Sequence, residues 1–113
     1  MMSEGIDITS AIEVELYELR VPGLLIGKEV IDGHARRIGV VRSVRLKLPE
    51  LKVQLIVKGL DIEFPVDSED ISAVGNVIQL KTPIREAEPI DIHEVVRLRK
   101  EILSEIRSQM LQE

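Results

Sequence analysis

Apolar and polar residues alternate along the middle of the chain with the period of two that is typical of half-buried β-strands. The run Val44–Leu48 reads VRLKL, and similar runs follow at Val53–Val57 after the Pro49-Glu50 turn and at Leu60–Val66 after Gly59. Successive side chains of a strand point to opposite faces, so each run buries one face and exposes the other. Short strands at this spacing predict a small β-barrel or sandwich.

Further strands are predicted on both sides of this region. The segment Leu24–Ile31 ends at the turn signal Asp32-Gly33, and Val77–Lys81 forms the last strand. A change of phase near Arg42-Ser43 predicts a β-bulge. The segment Ile12–Leu16 alternates like a strand, the interpretation we favour, although a capping box from Ser10 to Glu13 would also allow a helix.

A long helix is predicted at the C-terminal end. Pro83 and Pro89 bracket a linker, beyond which the apolar period changes to about 3.6. Asp91 is a natural N-cap with Glu94 three residues later, which starts a helix running toward Glu113. We therefore divide the chain into a β domain at residues 1–83, a linker at 84–90 and a helix at 91–113.

Composition limits how the core is built and where the protein works. The chain has 113 residues without cysteine, so disulfides and thiolate metal sites are ruled out. Tyr17 and Phe64 are the only aromatic residues, which leaves valine, isoleucine and leucine to fill the core. No segment resembles a secretory signal or a membrane span. We expect a cytoplasmic protein.

Positive charge is concentrated in the middle of the chain. Residues 34–59 carry seven basic and one acidic side chain, whereas both flanks are acidic and the net charge is −5. Ordinary solvated strand faces are the favoured interpretation of this charge, and the hypothesis beside it is a basic face that binds an acidic protein surface. Nucleic acid is the less credible ligand because stacking aromatics are missing from this segment. The basic face comprises Arg42, Arg45, Lys47, Lys52 and Lys58.

The predicted helix carries an apolar seam interrupted by a single cation, Arg99. Such a seam either packs on the helix's own β domain or pairs with another helix, and the pattern favours neither. In a helix pair, Arg99 could set the register or bind an acidic group across the seam. The candidate partner-binding residues are Ile92, Val95, Val96, Arg99, Ile102, Leu103, Ile106 and Met110.

No combination of residues predicts catalysis, a cofactor or a metal. His34 and His93 are separated in sequence and are interpreted as surface residues. The acidic turn at residues 67–70 lacks the glycine and spacing of a calcium loop. Since no acid, base and nucleophile can be grouped from the sequence, we expect a protein that is not an enzyme.

Several short segments between Leu24 and Leu80 resemble the PRC-barrel, the small β-barrel named after the photosynthetic reaction-centre H subunit. They are Ile26-Gly27-Lys28-Glu29-Val30, the Asp32-Gly33 turn, Ile38-Gly39-x-Val41, and Phe64-Pro65-Val66 through Ile71-x-Ala73-Val74-Gly75. The resemblance implies a mainly β fold: a barrel of about six strands, here with a long C-terminal helix.

The resemblance also implies a function in binding proteins. Some free-standing archaeal PRC-barrel proteins of about this size act in cell division beside SepF, the membrane tether of the tubulin-like FtsZ. The implied function is a non-enzymatic adaptor at the division site that forms homo- or hetero-oligomers and binds a SepF-like protein or another PRC-barrel protein. The alternative is a ribosome-associated or RNA-processing factor similar to the C-terminal half of RimM.

Overall fold

The computed structural model describes residues 11–17 and 25–111, which form one β-sheet and a C-terminal helix. The strands are β1 (Ile12–Leu16), β2 (Glu29–Ile31), β3 (Arg37–Leu48), β4 (Lys52–Lys58), β5 (Glu63–Asp67), β6 (Ile71–Val74) and β7 (Val77–Leu80). A 3₁₀ turn covers Ser68–Asp70, and the helix α1 covers Ile92–Leu111. The mainly β prediction with a C-terminal helix is therefore confirmed, and so is the strand interpretation of Ile12–Leu16.

The seven strands form one sheet in the order β5-β4-β3-β2-β7-β6, with β1 paired beside β3. Neighbouring strands are antiparallel except β2 and β7, which are parallel. In the part of the chain that is described, no pairing joins the end strands β5 and β6, so the sheet is open rather than closed. The strand predicted to end at Ile31 is shorter than expected. It is β2, which begins only at Glu29 because Gly27 lies in a turn before it.

Strand β3 organises the sheet because it is 12 residues long and pairs along both edges. Its first part pairs with β2, its last part with β1, and most of its other edge with β4. The register with β4 shifts between Val41 and Ser43, which confirms the predicted bulge. Strands β1 and β2 consequently follow one another along the same edge of β3.

The core is aliphatic, as the composition requires, and α1 completes it. Buried strand residues such as Val41, Val57 and Ile78 belong to one cluster with Val95 and Ile102 of the helix. Burying these side chains removes apolar surface from water, which is the main stabilising contribution to such a fold. The helix therefore packs on its own sheet.

The start of α1 follows the predicted capping box. The Asp91 carboxylate accepts a hydrogen bond from the Glu94 backbone N–H at 3.0 Å. The Glu94 carboxylate accepts one from the Asp91 N–H at 3.1 Å. These two bonds satisfy donors that the first helical turn leaves free, so the helix begins at Ile92.

Candidate interaction surface

Three strand segments form an arm that extends one end of the sheet. We define the arm as β1, residues 44–48 of β3, residues 52–55 of β4 and the turn 49–51 that joins β3 to β4. In β1, Ile12 is paired with Leu48 and Leu16 with Val44, while Val44 in turn faces Leu55 of β4. Because alternate side chains share a face, these pairings collect aliphatic residues on one side of the arm.

This side is called the apolar face. Its strand residues are Ile12, Val14, Leu16, Val44, Leu46, Leu48 and Val53, and Leu51 of the adjoining turn is counted with them as the eighth residue. Five of them are exposed: Ile12 by 60%, Val14 by 40%, Leu16 by 46%, Leu48 by 39% and Leu51 by 71%. Together they expose on the order of 500 Å², toward the upper end of the ~300–600 Å² of the largest patch on a typical monomer. The apolar face is the strongest candidate for a binding surface.

The opposite face of the arm is charged and internally paired. Arg45 lies between two glutamates of β1, with Nε 3.4 Å from Oε2 of Glu13 and Nη2 3.7 Å from Oε1 of Glu15. The buried hydroxyl of Ser43 donates to Oε2 of Glu15 at 2.7 Å. This hydrogen bond is the largest influence on the pKa of Glu15, which lies below its usual value. These contacts attach β1 to β3.

The ion pairs continue from the sheet to the helix. Arg42 contacts Glu63 at 3.0 Å and Glu105 at 3.4 Å. Lys58 contacts Glu105 at 3.2 Å and Glu101 at 3.6 Å. Burial alone would raise the pKa of Glu105, but hydrogen bonds and charges from Lys58 and Arg42 outweigh it and lower that pKa. The acidic C-terminal segment therefore neutralises cations of the middle segment within one chain.

These ion pairs reduce the number of free cations on the predicted basic face. Arg42, Arg45 and Lys58 all contact carboxylates of their own chain. Lys47 and Lys52 are direct cross-strand neighbours near the tip of the arm. Only these two of the five predicted cations have no ion pair within the described residues. The binding of an acidic partner by the face stays a prediction, and the five side chains do not present five free charges.

The predicted helix seam is divided between two surfaces. Val95, Ile102 and Ile106 are buried against the sheet. Leu98, which the seam did not include, is buried with them, because the buried face follows steps of three, four and four residues. The exposed residues of the seam are Ile92 and Val96, Leu103 is half-buried, and the Met110 side chain lies outside the described part.

Arg99, for which the sequence left a role in a helix pair open, contacts its own β domain. Its Nε donates to the carbonyl oxygen of Gly27 at 2.7 Å. Gly27 adopts a φ of 90°, and a β-carbon there would lie 3.2 Å from the Arg99 Cγ. A residue with a side chain is strained at such a φ, so glycine allows both the turn and the close approach of the arginine. Arg99 fixes the helix to the turn before β2.

The carboxylate of Asp32, which the sequence analysis named only as part of a turn signal, is buried and connects the β2–β3 turn to the segment before the helix. The side chain of Asp32 is fully buried and accepts from Arg36 Nε at 2.9 Å and Nη2 at 2.7 Å. Backbone N–H groups of His34, Arg36 and Ile84 also donate to it. Burial acts to raise the pKa of Asp32, but these hydrogen bonds outweigh it and hold the pKa at about 2.

A cleft of about 340 Å³ lies between the β4–β5 turn, residues 58–63, and the helix residues Arg97, Leu98 and Glu101. Its cations are already paired, since Lys58 and Arg97 both contact Glu101. Within the described ranges, no three His, Cys, Asp or Glu residues are grouped to hold a metal ion. No helix in these ranges is long and apolar enough to cross a membrane.

No protein-family model matches the chain, and none of the curated proteins matches it significantly.

Proposed function

We propose that this protein is a non-enzymatic adaptor of the PRC-barrel type that binds a protein partner through the apolar face of its arm. The exposed aliphatic surface of the arm carries the proposal. Apolar patches of this size are often functional, and larger ones mark protein-interaction sites. The apolar face offers contact area without charges, while the ion pairs on the other side keep the arm ordered.

The biological setting in the proposal comes from the sequence resemblance. We place the adaptor in an archaeal division complex containing FtsZ and SepF, with a SepF-like tether or another PRC-barrel protein as its partner. Binding of RNA is the weaker alternative, because Arg42, Arg45 and Lys58 already contact carboxylates. A protein that binds the phosphates of RNA needs unpaired cations that can replace the counterions of the RNA.

Capture of partners from native lysate tests the proposal. The baits are the wild-type chain, Ile12→Lys/Leu51→Lys on the arm, and Ile92→Lys/Val96→Lys on the exposed part of the helix seam. All four residues are exposed, so both double variants change surface chemistry and charge equally. We expect the wild type and the helix variant to retain the same proteins, among them a division protein, and the arm variant to lose them.

Two results would contradict the proposal. Retention of the same proteins by all three baits would exclude the apolar face as the binding surface. Retention of ribosomal RNA that disappears steeply as salt is raised would instead support the RimM-like alternative, since phosphate contacts are strongly salt-dependent.

A further inference from the structure

We propose that the partner on the apolar face is a second copy of this chain, with two arms stacked face to face about a twofold axis. The inference rests on the proposed function, because it names the occupant of the same surface. Four observations carry it: the missing cover of the face, its area, its chemistry and the charges on the edge of β1.

The apolar face continues the core, but no element of the described residues covers it as the core is covered. On the same side of the sheet, Val41 and Val57 are fully buried and Leu55 is 4% exposed. Two residues further along β4 toward the arm tip, Val53 is half-buried, and Leu51 is one of the most exposed apolar residues described. A second apolar layer would cover the arm as the molecule covers its own core.

The exposed area is enough for a weak dimer. Two apolar faces of on the order of 500 Å² each approach the ~1,200 Å² total at which standard specific interfaces begin. The half-buried Val44, Leu46 and Val53 lie among the exposed residues and add to the contact. An interface of this size lies at the weak end of specific contacts, so we expect a reversible dimer.

The chemistry of the face matches a copy of itself. None of its eight residues carries a charge or a hydrogen-bonding side chain. In a twofold contact every group faces the same surface patch of the other copy, so a charged patch would be opposed to its own sign. An aliphatic sheet face has no such conflict, and two of them pack as layers about 10 Å apart.

The charges on β1 favour face-to-face stacking of two arms over edge-to-edge pairing of two β1 strands. The outer edge of β1 could also extend the sheet by pairing with the β1 strand of another copy. Antiparallel pairing centred on Val14 would place Glu13 opposite Glu15 of that copy, and like charges in such positions are destabilising. In the stacked arrangement both glutamates keep their own contacts with Arg45 on the far side of the arm.

Sedimentation velocity of the full chain through the micromolar range tests the dimer. We expect the wild type to dimerise reversibly and Ile12→Lys/Leu51→Lys to raise the dissociation constant at least about 100-fold. The matched control is Val74→Lys/Ile92→Lys, which replaces two exposed aliphatic residues off the arm and should change the constant less than about threefold. Thermal unfolding verifies that both variants fold, and Leu51→Lys alone replaces the double variant if it does not.

Cross-linking distinguishes the stacked arrangement from edge pairing. Because the chain has no cysteine, single cysteines at Leu46 and Lys47 report separately on the two faces of β3. A short bismaleimide should join two copies of Leu46→Cys at least about tenfold more efficiently than two copies of Lys47→Cys. Equal efficiencies would overturn the stacked geometry.

The inference and the proposed function can fail separately. A wild-type chain that stays monomeric throughout the concentration series overturns the inference, as does a dimer that the arm variant leaves unchanged. If that monomer still captures a division protein in an arm-dependent manner, the proposed adaptor function stands with a different occupant.

Discussion

Arg99 and Gly27 connect the helix to the sheet through one charged hydrogen bond, from Nε to the carbonyl oxygen, 2.7 Å long. The two residues are 72 positions apart in sequence. Gly27 is buried and its φ is 90°. The turn at Gly27 directs its carbonyl oxygen toward the helix, where it accepts the hydrogen bond from the Arg99 guanidinium. The arginine at the centre of the helix is thus a structural anchor of its own chain.

Replacing Arg99 by methionine should destabilise the protein while keeping the helix apolar. We expect the free energy of unfolding to fall by about 2 kcal/mol, because a buried carbonyl loses a charged donor. Urea denaturation measures the change. Arg97→Met is the control, since its ion pair with Glu101 is exposed and such pairs contribute less than about 1 kcal/mol. Equal losses in both variants would show that Gly27 contributes nothing to the anchor.

Gly39 in β3 should tolerate no side chain at all. A β-carbon there would lie 2.5 Å from the carbonyl oxygen of Lys58, a backbone atom that cannot move without breaking the pairing of β3 and β4. We expect Gly39→Ala to lower the free energy of unfolding by about 2 kcal/mol or more. Gly75→Ala is the matched control, because nothing lies within 4 Å of its added carbon. A neutral Gly39→Ala would contradict the close packing of the two strands.

Local signals in the sequence were sufficient for most elements of this fold, although the strand β6 was not predicted and β2 is shorter than its predicted strand. The bulge at Val41/Ser43 interrupts an alternation visible in the residues around it, and the Asp91–Glu94 capping box spans four consecutive residues. Each of these features forms between neighbours in the chain. Its residue types therefore carry the information directly.

Contacts between distant segments could not be predicted in the same way. Nothing near Arg99 in the sequence points to Gly27, and nothing near Asp32 points to Ile84. Charge asymmetry revealed a basic middle between acidic flanks, but not that Arg42 and Lys58 meet Glu105 within the same chain. Alternation assigned residues to the faces of the arm and left open which face is covered. These outcomes depend on how strands meet in space.

Acid should weaken the protein through Asp32. Its pKa in the folded protein is about 2 against an ordinary value of 3.8, so the folded state favours the ionised form. The resulting stabilisation is fully present above about pH 4 and is lost as the pH falls toward 2. It amounts to about 2 kcal/mol for a shift of this size. Denaturation at several pH values measures it.

The variant Asp32→Asn isolates this contribution. The amide keeps the shape of the side chain but cannot accept as an anion from Arg36. We expect the variant to be less stable than the wild type at pH 7, and the two stabilities to converge near pH 2. Parallel curves, with a constant difference from pH 7 to pH 2, would show that the charge of Asp32 does not contribute.

The attachment of β1 should depend on Ser43. Its hydroxyl donates to Glu15 at 2.7 Å and lowers the pKa of that carboxyl, so this support is present above the ordinary value of 4.5 and disappears as the pH falls through the folded-state pKa. We expect Ser43→Ala to reduce hydrogen-exchange protection of the β1 amides about fivefold, corresponding to ~1 kcal/mol. Ser72→Ala, on the exposed strand β6, should leave β1 unchanged.

The same variant connects the two faces of the arm. Ser43 lies opposite the apolar face, yet β1 contributes Ile12, Val14 and Leu16 to that face. A loosened β1 presents these side chains less often, so Ser43→Ala should also weaken dimerisation several-fold, which sedimentation velocity would detect. Lower β1 protection without weaker association would mean that the dimer, if it forms, contacts β3 and β4 alone.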